Sequence, residues 1–203
     1  MHKRILAFSA ATVIGLAGIA GFGGAAKNSD MGGMNMASPS ASTSAAPVPA
    51  HNDQDVMFTQ AMIPHHEQAV AMAKLAATRA KNPAVKTLAG QIERAQGPQI
   101  QTMTGWLKSW GVTPSPSGGS MPGMGGTPMP GMMPTAEMNK LGKASGAAFD
   151  KMFLTMMIKH HEGAITMAKT EQAKGSYGPA KTLAGNIISG QSAEIATMRS
   201  LLK

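Results

Sequence analysis

The chain has 203 residues, 19 methionines, no cysteine and few aromatic residues: five Phe, two Trp and one Tyr. The absence of cysteine excludes a disulfide framework, a cysteine-ligated zinc or iron–sulfur site and a thiol catalyst. The formal net charge is +8. Because the basic residues are spread out and follow no nucleic-acid-binding motif, we expect no nucleic-acid partner.

The first 26 residues have the pattern of a secretory signal peptide. Lys3 and Arg4 precede an apolar stretch from Ile5 to about Ala20, and small residues continue to Ala26. The apolar stretch is short for a membrane span of roughly 20 residues. We therefore expect export and cleavage near Ala26, with retention as an anchor as the alternative. Cleavage removes two basic residues and no acidic one, which leaves a charge of +6 and no stable membrane span.

Two segments rich in small residues and proline, 27–52 and 112–134, lack the apolar density that a packed core needs. They predict a disordered N-terminal linker and a methionine-, glycine- and proline-rich internal linker. The remaining chain, 53–203, is predicted to form one domain. Within it, repeat 1 covers 53–111 and repeat 2 covers 135–203.

The two repeats are copies related by a shift of 95 residues without a gap. MIPHHE at 62–67 matches MIKHHE at 157–162, and KTLAG at 86–90 recurs at 181–185. In each repeat, apolar residues recur at steps of three and four, which is the period of an amphipathic helix. The duplication therefore predicts two equivalent helix pairs.

The helix pairs predict an all-α fold, a four-helix bundle of ferritin-like type. Asn52 or Asp53 can cap the first helix, Asn82 precedes Pro83 at the second, and Ser145 can cap the third. Gly178-Pro179 marks the start of the fourth helix, and bends are expected at Pro64 and Pro98. The internal linker is long enough to cross the whole bundle, so a crossover that relates the halves by a pseudo-two-fold axis is available.

The candidate chemistry lies in duplicated histidines on a methionine face. Met62 lies three and four residues before His65 and His66, so a thioether and an imidazole can approach one metal ion from one helix. Thioethers favour Cu(I), and by the same chemistry Ag(I), whereas imidazole binds copper or zinc. The predicted ligands are His65, His66, His160, His161, Met62, Met72, Met157 and Met167. Core packing is the alternative role for these methionines.

Other residues receive weaker predictions. Glu67 and Glu162 are either outer-sphere partners of the imidazoles or surface ion-pair residues, and Asp55 and Asp150 are either outer-sphere partners or helix N-terminal charges. Five internal-linker methionines are predicted to capture soft metal with low affinity, because packing should not explain them; compositional drift is the alternative. They are Met121, Met124, Met129, Met132 and Met133.

The pattern D-x-x-F…M-I-x-H-H-E-x-A-x-x-M-A, at 55–73 and again at 150–168, resembles the CopM-like family, first catalogued as a domain of unknown function. The resemblance covers about 150 residues, and repeat 2 is the closer match. It implies an exported, ferritin-like four-helix bundle, with copper binding and copper tolerance in some members. Repeat 1 departs from this pattern at Gln68, where repeat 2 has Gly163, and at Pro98.

These observations predict an exported protein that sequesters or transfers Cu(I) or Ag(I), without an organic cofactor, and that contacts other copper-handling proteins. A structural or interaction bundle without metal is the first alternative, and a ferritin-like metalloenzyme the second. A non-enzymatic role is favoured, because the chain lacks the zincin H-E-x-x-H, the di-iron E-x-x-H, the nucleophile elbow and the phosphate loop.

Overall fold

A computed structural model of the chain describes residues 50–113 and 129–203. The predicted signal peptide, nearly all of the predicted N-terminal linker, and Met121 and Met124 lie outside the described residues. All statements below on structure concern the described part of the chain.

The described residues form five helices and no strand, so the all-α prediction is confirmed. The four long helices correspond to the two predicted pairs, and a short helix precedes the third long one. The helices are α1 (Asp53–Arg79), α2 (Pro83–Ser109), α3 (Thr135–Lys143), α4 (Gly146–Lys174) and α5 (Gly178–Leu201).

The helix starts follow from local side-chain chemistry. The Asn52 side chain accepts from the Asp55 N–H while the Asp55 carboxylate accepts from the Asn52 N–H, which is a complete capping box. Asn82 caps α2 by accepting from the N–H of Ala84. Ser145 stands at the cap position of α4 but makes no capping hydrogen bond with its side chain.

Prolines interrupt neither of the first two helices. Pro64 lies inside α1 and Pro98 inside α2, and both helices continue through them. The bends expected from these prolines stay predictions.

The two repeats pack through their first helices, α1 and α4, which run antiparallel. Asp55 at the start of α1 binds Ser176 and Tyr177 beyond the end of α4, and Asp150 at the start of α4 binds Lys81 and Asn82 beyond the end of α1. Helix α2 packs on α1, and α5 packs on α4. Helix α2 therefore ends at one end of the bundle, and α4 starts at the other.

The buried apolar residues form two clusters. One contains Met62 of α1 and Met167 of α4, and the other contains Met72 of α1 and Met157 of α4. In each helix the paired histidines lie between these methionines in sequence. Because the helices are antiparallel, the histidines form a polar layer between the two apolar clusters.

The end of the predicted internal linker is packed rather than disordered. We call residues 129–134 the strap; it lies beside α1 and α4 before α3 begins. Met129 and Met133 are 5% and 4% exposed, and each belongs to one of the apolar clusters. The expectation that packing cannot explain the linker methionines is therefore wrong for these two.

None of the described helices combines the length and the apolarity that crossing a membrane would require.

Candidate metal centre

All four predicted histidine ligands converge in the polar layer. His65, His66, His160 and His161 have no exposed surface. The rings of His65 and His160, the equivalent histidines of the two repeats, lie with centroids 3.7 Å apart, and those of His160 and His161 lie 6.3 Å apart. The sequence left open whether the histidines form one site or two, and the structure brings them into one layer.

Three of the imidazoles are oriented by hydrogen bonds through the same ring nitrogen. His65 Nε2 lies 3.0 Å from the carbonyl oxygen of Pro130, and His66 Nε2 lies 2.7 Å from Oε1 of Gln99. His161 Nε2 lies 2.6 Å from Oε2 of Glu194. A backbone carbonyl and a carboxylate can only accept, so Nε2 of His65 and of His161 carries the hydrogen and donates it; Nε2 of His66 does the same while Gln99 presents its amide oxygen.

The other ring nitrogen of each oriented histidine is left with a lone pair and no partner. Nδ1 of His65, His66 and His161 is buried and makes no hydrogen bond. Neither nitrogen of His160 completes one, although the backbone of His65 approaches its ring. A proton on any of these Nδ1 atoms would be buried without an acceptor, which is unfavourable. The layer therefore contains several buried imidazole lone pairs without a partner.

Burial keeps the imidazoles of His65, His66 and His160 neutral. Burial lowers the pKa of His65 to about 3, helped by the neighbouring His66. Burial also lowers the pKa of His66 to about 4, although its hydrogen bond to Gln99 opposes the change. The pKa of His160 is well below its usual value for the same reason, with His65 adding to the effect. Neutral imidazole is the form that binds a metal ion.

The four predicted methionine ligands are buried on both sides of the histidine layer. Met62, Met72 and Met157 have no exposed surface, and Met167 is 8% exposed. They also fill the apolar clusters, so core packing and metal binding are compatible roles for them.

The described residues do not contain a metal-binding group of three His, Asp and Glu side chains. Among residues 50–113 and 129–203, no three His, Asp or Glu side chains are arranged to hold one metal ion. Imidazoles flanked by thioethers are a donor combination that suits a soft cation.

Asp55, Asp150 and Glu162 bind groups other than the histidines. Asp55 and Asp150 precede the first histidine of each pair by ten residues, which is about 15 Å along a helix, and they bind backbone of the opposite repeat. Glu162 is exposed and pairs with Arg199 at 2.9 Å, so its surface role is the one observed. Glu67 is exposed on α1.

The strap brings further groups to the centre. Besides the hydrogen bond that His65 donates to the carbonyl oxygen of Pro130, the Gln68 side chain accepts from the N–H of Met133 and donates to its carbonyl. A cavity of about 270 Å³ opens beside the strap, lined by Pro130, Met57 and Met167 among others. Met132 is partly buried against the same apolar cluster as Met129.

Sequence reasoning missed Gln99 and Glu194, which orient His66 and His161. A signal existed, because these residues are equivalent under the shift of 95 and each lies 33 residues after its histidine. It also missed that the backbone carbonyl of Pro130 is the partner of His65, which no side-chain pattern could indicate.

Comparison with known proteins identifies the family of this chain. The model of the family described as "Domain of unknown function (DUF305)" matches residues 55–202. The chain belongs to the DUF305 family. No curated protein matches this chain.

Solved structures of DUF305 members have the same fold. A Streptomyces coelicolor protein inferred to be secreted is 36% identical, with 73% of this chain and 91% of that chain covered and a TM-score of 0.66. CopM in its Cu(II)-bound form is 33% identical, with 73% and 95% covered and a TM-score of 0.62. A Deinococcus radiodurans fragment is 31% identical, with 76% and 98% covered and a TM-score of 0.66. CopM has also been solved in Cu(I)-bound and Ag-bound forms.

Proposed function

We propose that this DUF305 protein binds Cu(I) or Ag(I) as cargo in its central histidine layer and serves to sequester or transfer the ion outside the cytoplasm. The observation that carries the proposal is the set of buried Nδ1 lone pairs on His65, His66 and His161, each oriented through Nε2 and left without a partner. Buried polar atoms without partners are costly unless a ligand uses them.

The ligand set fits a soft monovalent cation. His65, His66, His160 and His161 would supply imidazole nitrogens, with no more than two of them on one ion, and the flanking methionines would supply thioethers. Met62, Met72, Met157 and Met167 are the co-ligands that the repeat pattern singles out. Thioether and imidazole together suit Cu(I) and Ag(I). The similarity to CopM, solved with copper and with silver, supports the same choice.

Export supports the proposed role but rests on the N-terminal sequence. A basic start, an apolar stretch and small residues at its end are typical of a secretory signal peptide. Thioethers also persist as ligands more readily than thiols where conditions are oxidising. A protein that receives or delivers the ion is the expected partner.

The test is a competition titration of the purified protein with Ag(I) against a chromophoric chelator. The matched control carries His65→Ala, His66→Ala, His160→Ala and His161→Ala together. We expect the wild type to bind at least tenfold more tightly than this variant. Equal affinities would contradict the proposal and favour a structural bundle whose histidines only pack.

Thermal unfolding gives an independent readout. A ligand that binds only the native state stabilises it by about 2.7 kcal/mol at 100 times its dissociation constant. For a domain of this size that corresponds to a rise in Tm of roughly 5–10 °C. An unchanged Tm with saturating Ag(I) would count against a native-state site.

A further inference from the structure

The two repeats give their second histidines chemically different partners. His66 donates to the amide oxygen of Gln99, whereas His161 donates to the carboxylate of Glu194. Both pairs join α1 to α2 or α4 to α5 at equivalent positions. The duplication therefore contains a direct comparison in which an amide replaces a carboxylate beside an otherwise equivalent imidazole.

The first consequence concerns charge. A monovalent cation that enters the buried layer brings one positive charge, and an uncompensated buried charge is costly. The Glu194 carboxylate places a negative charge 2.6 Å from the ring of His161, and its side chain is only 19% exposed. Gln99 brings no charge to His66. We call the surroundings of His161 and of His66 the His161 side and the His66 side of the layer. The positive charge of a cation is therefore better compensated on the His161 side than on the His66 side.

The second consequence concerns the tautomer. A carboxylate can only accept, so Glu194 fixes the hydrogen of His161 on Nε2 and leaves the Nδ1 lone pair ready for a ligand. The Gln99 amide can rotate by 180° and present its NH2 group instead. His66 can then hold its hydrogen on Nδ1, and this buried nitrogen then has no lone pair for a ligand. Of the two second histidines, His66 and His161, only His161 is fixed in the metal-binding tautomer by its side-chain partner.

We propose that Glu194 is a positioning residue that makes the His161 side of the layer the first and tighter site for a soft monovalent cation, while Gln99 leaves the His66 side weaker. This inference rests on the proposed function. Removing an outer-sphere partner of a metal-binding histidine typically costs 10–100-fold in affinity. We expect the affinities of the His161 side and the His66 side for the cation to differ by a factor in that range.

The test exchanges the two partners by substitution. Glu194→Gln, Gln99→Glu and the double exchange are titrated with Ag(I), and imidazole ¹⁵N shifts identify which ring binds the ion at each step. We expect Glu194→Gln to weaken the first binding step 10–100-fold. Gln99→Glu should give the His66 side an affinity close to that of the His161 side. The double exchange should move the first ion to His66.

The outcomes separate this inference from the proposed function. If Glu194→Gln and Gln99→Glu both titrate as the wild type does, the ranking of the two sides is overturned while silver binding stands. If the wild type binds no better than the quadruple histidine variant, the proposed function itself fails. A gain of affinity in Gln99→Glu cannot come from unfolding, so this variant decides the question even if Glu194→Gln is unstable.

The same ¹⁵N shifts in the metal-free protein provide a second readout. We expect His161 to hold its hydrogen on Nε2 in the wild type and to become a tautomer mixture in Glu194→Gln. A merely structural role for Glu194 would leave the tautomer unchanged, and that result would overturn the positioning role.

Discussion

At the scale of single residues, Gly163 shows how the strap reaches the histidine layer. A Cβ at this position would overlap the carbonyl of Pro130, the group that accepts from His65, and would also press on Gly131. The α4 backbone must therefore lack a side chain at this point for the strap to dock. In repeat 1 the equivalent residue is Gln68, whose side chain holds Met133 of the same strap.

We predict that Gly163→Ala displaces the strap and destabilises the protein by about 1–3 kcal/mol, the usual cost of overpacking a filled site. Urea unfolding followed by circular dichroism measures the change. Because His65 loses its acceptor when the strap moves, the ¹⁵N shifts of this imidazole should change as well.

Gly105→Ala is the matched control for this substitution. Gly105 lies in α2, and a Cβ there would meet no atom within 4 Å. Alanine in a helix interior is favoured over glycine by about 0.5–1 kcal/mol, so the control should be slightly more stable than the wild type. If Gly163→Ala were also stabilising, the docking of the strap on α4 would be wrong.

At the scale of helices, two aspartates join the repeats reciprocally. Asp55 of α1 accepts from the N–H groups of Ser176 and Tyr177 before α5, and Asp150 of α4 accepts from those of Lys81 and Asn82 before α2. Each carboxylate thus satisfies backbone donors at the start of a helix in the other repeat. These contacts fix the antiparallel alignment that brings His65 against His160.

The two contacts differ in burial. Asp55 is fully buried and also accepts from the N–H of Asn52, whereas Asp150 is half-buried. Burial raises the pKa of Asp55, but hydrogen bonds from Glu171 and from backbone N–H groups outweigh it, so the pKa lies below its usual value. The carboxylate of Asp55 is therefore the form that the native state stabilises.

We predict that Asp55→Asn destabilises the protein by about 1.5–3 kcal/mol, because it weakens several charge-assisted hydrogen bonds at a buried position. Asp150→Asn makes the same chemical change at the less buried site and should cost less. Chemical denaturation of both variants at neutral pH measures the difference. Equal costs would show that burial does not set the strength of these contacts.

At the same scale, the sequence predicts elements well and contacts between repeats poorly. The duplicated apolar period was enough for the four long helices and for the placement of His65 and His160 on inward faces. The strap was missed because its residues, such as Met129 and Pro130, have no period and pack only against surfaces that the assembled bundle creates. For Asp55 the sequence indicates a helix N-terminal charge or an outer-sphere partner, whereas its partners in the other repeat, Ser176 and Tyr177, have no local signature.

At the scale of the whole molecule, buried ionisable groups set the pH range in which the metal-free protein is stable. Burial lowers the pKa of His65 to about 3 and of His66 to about 4, with His160 also well below its usual value. The unfolded chain, with ordinary values near 6.5, takes up protons that the native state does not. We predict that stability falls as pH drops from about 6.5 towards 4.

The predicted loss of stability at acid pH can be checked by urea unfolding of the metal-free protein between pH 4 and 7. In the quadruple histidine-to-alanine variant the loss between pH 6.5 and 4 should be much smaller, because the proton uptake of the unfolded state has been removed. If this variant loses as much stability between pH 6.5 and 4 as the wild type does, groups other than these histidines are responsible.

A second buried group acts in the opposite direction at higher pH. Glu171 is fully buried, and burial together with the hydrogen bond and charge of Asp55 raises its pKa to about 8. Between pH 4.5 and 8 the native state keeps a proton that the unfolded state has lost, so stability falls as pH rises through this range. The histidine effect acts only below about 6.5, and it involves three groups against one. Stability should therefore be highest near pH 6.5.

We predict that Glu171→Gln removes the decline between pH 6.5 and 8, because the amide stays neutral and can still donate to Asp55. Glu162→Gln is the matched control, since it makes the same substitution at an exposed ion pair with Arg199 and should keep the wild-type shape. Urea unfolding at pH 6.5, 7.25 and 8 compares the three proteins. If Glu171→Gln declines as steeply as Glu162→Gln, the proton of Glu171 does not couple α4 to the start of α1, and the alkaline limit must arise elsewhere.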